Sequence, residues 1–80
     1  MFKFKKEITI CADKKYAIDI EEAVKDIKVY GAETVCVRDN MVFDTILTKY
    51  SADKVAKIVK SKLYKTEVTV VGNIVFVDFK

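Results

Sequence analysis

The sequence predicts a small α+β domain whose elements follow the order βαββαββ. Three observations predict this class. The first segment alternates apolar and polar residues, two segments carry apolar residues at spacings of three and four, and two pairs of β-branched segments flank two-residue turns. The 80 residues are 51% hydrophobic with no proline, so we expect one folded domain over residues 1–80.

The first predicted strand covers residues 2–11, because Phe4, Ile8 and Ile10 share one face of an extended chain. A polar connection over residues 12–18 follows. Asp19 and Glu22 have the spacing at which the first residue caps a helix and the second reaches back to the helix start.

The first predicted helix covers residues 20–30. Its apolar stripe consists of Ile20, Ala23, Val24, Ile27 and Tyr30. Gly31 then stands where a left-handed cap would end the helix.

A hairpin is predicted next, with strands over residues 34–38 and 41–48 around the turn Asp39-Asn40. Ser51 then caps a second helix over residues 52–64. The buried stripe of that helix is Ala52, Val55, Ala56, Val59 and Leu63. A second hairpin, residues 67–71 and 74–79 around Gly72-Asn73, closes the chain.

The two hairpins repeat each other. Five residues of the first hairpin recur 33 positions later in the second, namely Val35, Val37, Asn40, Val42 and Phe43 as Val68, Val70, Asn73, Val75 and Phe76. The agreement predicts pseudo-symmetry between the hairpins, whether or not the chain arose by duplication.

This succession of elements resembles the ferredoxin-like, split βαβ architecture, as an architecture and not as a sequence family. The resemblance implies an antiparallel sheet with strand order 4-1-3-2 and both helices on one face. The fifth strand would then extend the edge beside the fourth.

Strand parity predicts which side chains the helices cover. Val37 faces Val42 and Val70 faces Val75 across the turns, with Val35, Val68 and Val77 on the same side, so this side is the predicted core. The opposite side is apolar too, and Thr9 and Cys11 are expected to join it. It carries the predicted partner-binding residues Cys36, Arg38, Met41, Phe43, Thr69, Val71, Ile74 and Phe76.

We therefore expect a non-enzymatic interaction or regulatory module that self-associates as a homodimer or docks a partner protein through this face. The alternative is that the apolar residues of this face have no function, because small β proteins often carry apolar residues on both sides of a sheet. Asp44 falls on the core side opposite Val35, and a solvated position at the sheet edge is expected for its carboxylate.

An electrostatic nucleic-acid site is the alternative function. The net charge of +3 is modest, but the second helix presents lysines on its outer surface, namely Lys54, Lys57, Lys60 and Lys65. Base stacking on the sheet is disfavoured, because the strand from Met41 has one aromatic residue and no glycine.

Little in the sequence indicates catalysis. Cys11 and Cys36 are expected to be buried or half-buried thiols, and no histidine is present to activate them or complete a zinc site. Lys14 and Lys15 beside Cys11 are most simply part of a solvated loop. We expect no enzyme activity, cofactor, metal or membrane segment, and a cytoplasmic location.

Overall fold

In the computed structural model, which describes residues 6–29 and 33–79, five strands form one mixed sheet and two helices cover one of its faces. The elements in chain order are β1 (Lys6–Asp13), a 3-10 turn (Lys14–Tyr16), α1 (Ala17–Val24), β2 (Glu33–Arg38), β3 (Met41–Thr48), α2 (Ala52–Lys62), β4 (Thr66–Val71) and β5 (Ile74–Phe79). The α+β class is confirmed.

The strand order is β2-β3-β1-β5-β4, which corrects the expected ferredoxin-like sheet in two respects. The sheet is not fully antiparallel, because β5 runs parallel to β1. The C-terminal strand is also not an edge strand: β5 lies between β1 and β4, and β4 forms the edge.

Side-chain burial explains why β5 is inside. Val75 and Val77 are buried under the helices, and Ile74 and Phe76 are apolar on the other side, so both faces of β5 suit an interior strand. β4 alternates between half-buried and exposed residues, which suits an edge. The amide of Thr9 also donates a hydrogen bond to the carbonyl of Asn73 at 2.9 Å, which ties β1 to the start of β5.

The mixed sheet has an approximate twofold relation about its central strand. Cys11 of β1 pairs with Phe43 on the antiparallel side and with Phe76 on the parallel side. A rotation about an axis through Cys11, perpendicular to the sheet, therefore carries the β2–β3 hairpin onto the β4–β5 hairpin. The registers match the 33-residue offset seen in the sequence, since Phe43 maps onto Phe76.

The core lies between the sheet and the helices. α1 packs on β1 and β3, α2 packs on β4 and β5, and the helices contact each other. Ile8, Ile10 and Ile46 are fully buried beneath them, together with Val75. The side chain of Lys62 also binds Asp26 at 3.2 Å, so opposite charges join α2 to the segment after α1.

The first helix begins and ends earlier than the sequence predicted. Asp13 caps the 3-10 turn through the amide of Lys15 at 3.0 Å, and α1 continues from it, so Asp19 lies inside the first helical turn and caps nothing. α1 ends at Val24, whose carbonyl accepts from Ile27 and Lys28. The expected cap Gly31, the stripe residue Tyr30 and residues 2–5 of the first strand lie outside the described residues.

The second helix agrees with its prediction, apart from an end at Lys62. The hydroxyl of Ser51 accepts a hydrogen bond from the amide of Lys54 at 3.3 Å, which makes it the N-cap. All four N-terminal members of the expected stripe are buried, and Leu63 is partly buried against them. Within the described ranges, no helix has both the length and the apolar character to cross a membrane.

Two expectations about the core side of the sheet were wrong. Val35 and Val37 have the expected parity but are 39% and 57% exposed, because the helices lie over the other strands and leave the edge strand β2 open. Asp44 is not solvated: β3 is an interior strand, so the side chain is only 1% exposed. Neither carboxyl oxygen of Asp44 has a hydrogen-bond partner within the described residues.

Burial raises the pKa of the Asp44 carboxyl above its ordinary value of 3.8, with nearby Glu21 adding to the rise and Lys28 opposing it. The unfolded chain has the ordinary value. The contribution of the protonated carboxyl to stability is therefore fully present below pH 3.8 and is lost as the pH rises through the raised pKa.

We predict that Asp44→Val stabilises the protein at pH 7 by about 1–3 kcal/mol, because it removes a buried group without partners. Val77 supplies a natural precedent, since it occupies the equivalent position in the second hairpin and is 5% exposed. Denaturant unfolding of both proteins at pH 7 and pH 3 measures the effect. The gain should shrink at pH 3; an equal gain at both pH values, or a less stable variant at pH 7, would contradict the explanation.

Candidate functional site

The candidate site is the face of the sheet that the helices leave uncovered, called the open face below. Strand alternation places on it all eight residues that the sequence predicted, namely Cys36, Arg38, Met41, Phe43, Thr69, Val71, Ile74 and Phe76. Val71 is 59% exposed, and Ile74 and Phe76 are each 38% exposed. Met41 and Phe43 are half-buried by their neighbours on the same face.

One row of side chains crosses the open face at its centre. From edge to edge the paired residues are Cys36, Phe43, Cys11, Phe76 and Thr69. The two phenyl rings flank Cys11, which is only 3% exposed although it lies on the face away from the helices. The centre of the open face is therefore apolar across the three inner strands, with exposed Cys36 at one edge and the exposed, polar Thr69 at the other.

The neighbouring rows differ in polarity. On one side of the central row, Thr9 and Thr45 share a hydrogen bond of 2.9 Å between their hydroxyl oxygens, beside Ile74 and Val71. On the other side lies a charged row, made of Arg38 paired with Met41, Met41 paired with Asp13, and Asp78 paired with Glu67. The paired register of β1 and β5 ends one row earlier, at Cys11 and Phe76, and Asp13 and Asp78 line one pocket beyond it. Positive charge thus stands at the β2 edge and negative charge towards the β4 edge.

A shallow groove of ≈ 500 Å³ lies in the open face and reaches from Met41 of β3 across β1 and β5 to β4. Cys11, Phe76 and Thr69 line it from the central row, and Met41, Glu67 and Asp78 line it from the charged row. The groove therefore combines an apolar floor with carboxylates at one margin, a combination that suits an apolar side chain beside a cationic one.

The two thiols have opposite surroundings. Burial raises the pKa of the Cys11 thiol above its usual value of 9.0, which keeps it protonated and weakly nucleophilic. Cys36 is exposed on the edge strand β2, which corrects the expectation that both thiols are at least half-buried. Within residues 6–29 and 33–79, no three cysteine, aspartate or glutamate side chains converge on a metal-sized site.

The predicted nucleic-acid residues lie away from the open face. Lys54, Lys57 and Lys60 are exposed on α2, on the side opposite its buried stripe. Lys65 is exposed in the connection to β4, where its φ of 57° places it beyond the helix. The first three therefore share one helix face, and Lys65 does not continue it.

The sequence reasoning missed the acidic part of the charged row. Asp13, Asp78 and Glu67 lie at the same end of the open face only because β5 lies beside β1, a pairing that the expected sheet did not contain. The apolar content of both faces of β5 was a signal for an interior position.

The chain matches no family, no curated protein and no solved structure.

The different burial of Cys11 and Cys36 predicts different rates of thiol modification. In the native protein, a thiol reagent such as iodoacetamide should modify Cys36 rapidly and Cys11 at least about a hundredfold more slowly, because Cys11 reacts only after local opening. Peptide mass spectrometry over a time course separates the two rates. Cys36→Ser should leave only the slow reaction, and denaturant should abolish the difference. Equal rates in the native protein would contradict the packing of Cys11 between the two phenyl rings.

Proposed function

We propose that this chain is a non-enzymatic protein-interaction module that binds a protein through its open face. The observation that carries the proposal is the row in which Phe43 and Phe76 flank Cys11 on the side of the sheet without helices. A solvated sheet face usually carries polar residues at alternate positions. Here the centre of that face is apolar, as expected of a surface that a second protein covers.

The exposed apolar area of the open face favours burial of that face by a second protein. Val71, Ile74 and Phe76, at 59%, 38% and 38% exposure, leave together roughly 200 Å² of side chain in water. Burying that area contributes about 5 kcal/mol before the entropic cost of association is subtracted. The bland alternative, scattered exposed apolar residues, does not account for a contiguous row that spans the pseudo-symmetric hairpins.

The thiols support a binding role over a catalytic one. The raised pKa of Cys11 disfavours the thiolate that nucleophilic catalysis needs, and the sequence has no histidine to serve as a base. Both cysteines are free, and an exposed free thiol such as Cys36 suits a reducing compartment. A regulatory or accessory role in the cytoplasm is therefore part of the proposal.

Site-specific photocrosslinking tests this function. A benzophenone-bearing phenylalanine in place of Phe76 should capture a protein at the open face during irradiation of intact cells. The same residue in place of Ile18, which is 76% exposed outside the open face, is the matched control. The mass of the adduct distinguishes a second copy of the chain from another protein.

The expected adduct at position 76 should disappear when Phe43→Asp is added, because a charge in the central row opposes desolvation of the face. Val71→Asp, at a more exposed position, provides the same test if Phe43→Asp perturbs folding. If the residue at position 76 gives no more adduct than the control at position 18, the proposed function is refuted.

Weak nucleic-acid binding is the second candidate function. The observation that favours it is the exposed face shared by Lys54, Lys57 and Lys60, none of which forms a salt bridge with the residues that the structure describes. Such lysines would contact phosphates without reading sequence.

If this candidate is right, fluorescence anisotropy should show that affinity for mixed-sequence DNA falls as the salt concentration rises, with a log-log slope of roughly −3 for three phosphate contacts. The triple reversal of Lys54, Lys57 and Lys60 to Glu should abolish binding, whereas Phe43→Asp should leave it unchanged. Lack of binding by the wild-type protein at low salt would eliminate the candidate.

A further inference from the structure

The open face is complementary to itself in charge. Arg38 stands at the β2 end of the charged row, and Glu67 stands at the β4 end of the same row, with Asp78 beside it. Arg38 forms no ion pair with the part of the chain that the structure describes. A surface with a cation at one edge and carboxylates at the opposite edge can match a second, rotated copy of that surface.

We infer that the protein bound by the open face is a second copy of this chain, seated face to face about a twofold axis that runs parallel to β1 above Cys11. The inference rests on the proposed function and specifies its partner. Such an axis exchanges the two edges of the sheet while keeping each row in register, so β2 of one copy lies over β4 of the other.

This axis pairs both the rings and the charges. Phe43 of each copy lies over Phe76 of the second copy, because the two residues stand at equal distances on either side of β1. Arg38 of each copy lies over Glu67 of the second copy, near Asp78. Two-fold symmetry produces each contact twice, which gives an isologous interface.

The other in-plane axis, across the strands, is unfavourable. It would exchange the row on one side of the central row with the row on the other side. The carboxylates of Glu67 and Asp78 would then lie over Val71 and Ile74 of the second copy, with no cation beside either of them. About the first axis, Asp78 lies over Met41 of the second copy, but Arg38 of that copy stands next to it. Covering charged groups with apolar side chains removes their hydration without replacing it.

The groove in the open face agrees with the first axis. Its lining residues Phe76, Thr69, Glu67 and Asp78 lie on the β5–β4 side of the sheet, and Cys11 and Met41 line its other side. Met41 and Arg38 of the second copy would come from the β3–β2 side and arrive over it. A volume of ≈ 500 Å³ accommodates these two side chains, with the guanidinium at the acidic margin.

Two features limit the strength of the dimer. Asp13 lies close to the axis and would approach its own copy, although its carboxylate turns back to accept from the amide of Lys15. A face of five short strands measures about 20 Å in each direction, which gives a buried area at the low end of specific interfaces. We therefore expect a reversible dimer with a dissociation constant in the micromolar range or weaker.

Charge reversal tests this geometry by sedimentation velocity at low salt. The wild type should dimerise, whereas Arg38→Glu and Glu67→Lys should each raise the dissociation constant about tenfold or more, because two cross-axis pairs become repulsive. An equimolar mixture of the two variants should regain dimerisation, since both pairs in the heterodimer are attractive. Lys54→Glu, which changes the net charge by the same amount as Arg38→Glu but on the far side of the molecule, is the control matched to that variant and should leave dimerisation unchanged.

Circular dichroism verifies that each variant is folded, and Asp78→Lys replaces Glu67→Lys if that variant is not. A wild type that dimerises while the mixture fails to recover would overturn the axis. If the wild-type protein stays monomeric at every concentration at which it is soluble, the inference that the partner is a second copy is overturned. In that case, a photocrosslinked adduct of another mass at position 76 would leave the proposed function standing, and no adduct would remove both.

Discussion

The pairing of β5 with β1 is the constraint on which the rest of the structure depends. It places a parallel neighbour on one side of β1 and an antiparallel neighbour, β3, on the other. β1 is thereby enclosed within the sheet, and Ile8, Ile10 and Ala12 lose all contact with solvent under the helices. The same pairing brings Phe76 level with Phe43, so the apolar row of the open face exists only because β5 is interior.

Local patterns were sufficient for much of the fold. The turns at Asp39 and Gly72 each have a positive φ, 57° and 60°, as tight hairpins require, and the alternation along β3 separated buried Val42 and Ile46 from Met41 and Phe43. The cap at Ser51 fixed the start of α2. Each of these features is determined by residues within a few positions of one another, so it can be predicted from one sequence alone.

Features that depend on distant parts of the chain could not be predicted in the same way. The place of β5 in the sheet is decided by competition for the open edge of β1 between two strands of one hairpin. The burial of Asp44 follows from β3 being interior, and the exposure of Val35 and Val37 follows from the position of the helices, which pack on the other four strands. In the candidate site, strand parity was sufficient to place the apolar residues on the open face. The common position of the carboxylates of Asp13, Asp78 and Glu67 depends on the pairing of β5 with β1, which parity does not predict.

The two hairpins differ in an informative way. Positions that maintain the sheet are apolar in both, as with Met41 and Ile74 or Phe43 and Phe76. The charged position Arg38 instead corresponds to Val71, 33 residues later. A perfectly repeated face would accept a partner equally well in either of two orientations related by the pseudo-twofold axis. An arginine at one edge and carboxylates at the other remove that ambiguity, because only one orientation brings opposite charges together. The shared residues thus provide the apolar area for binding, and the residues that break the repeat determine how a partner is oriented on it.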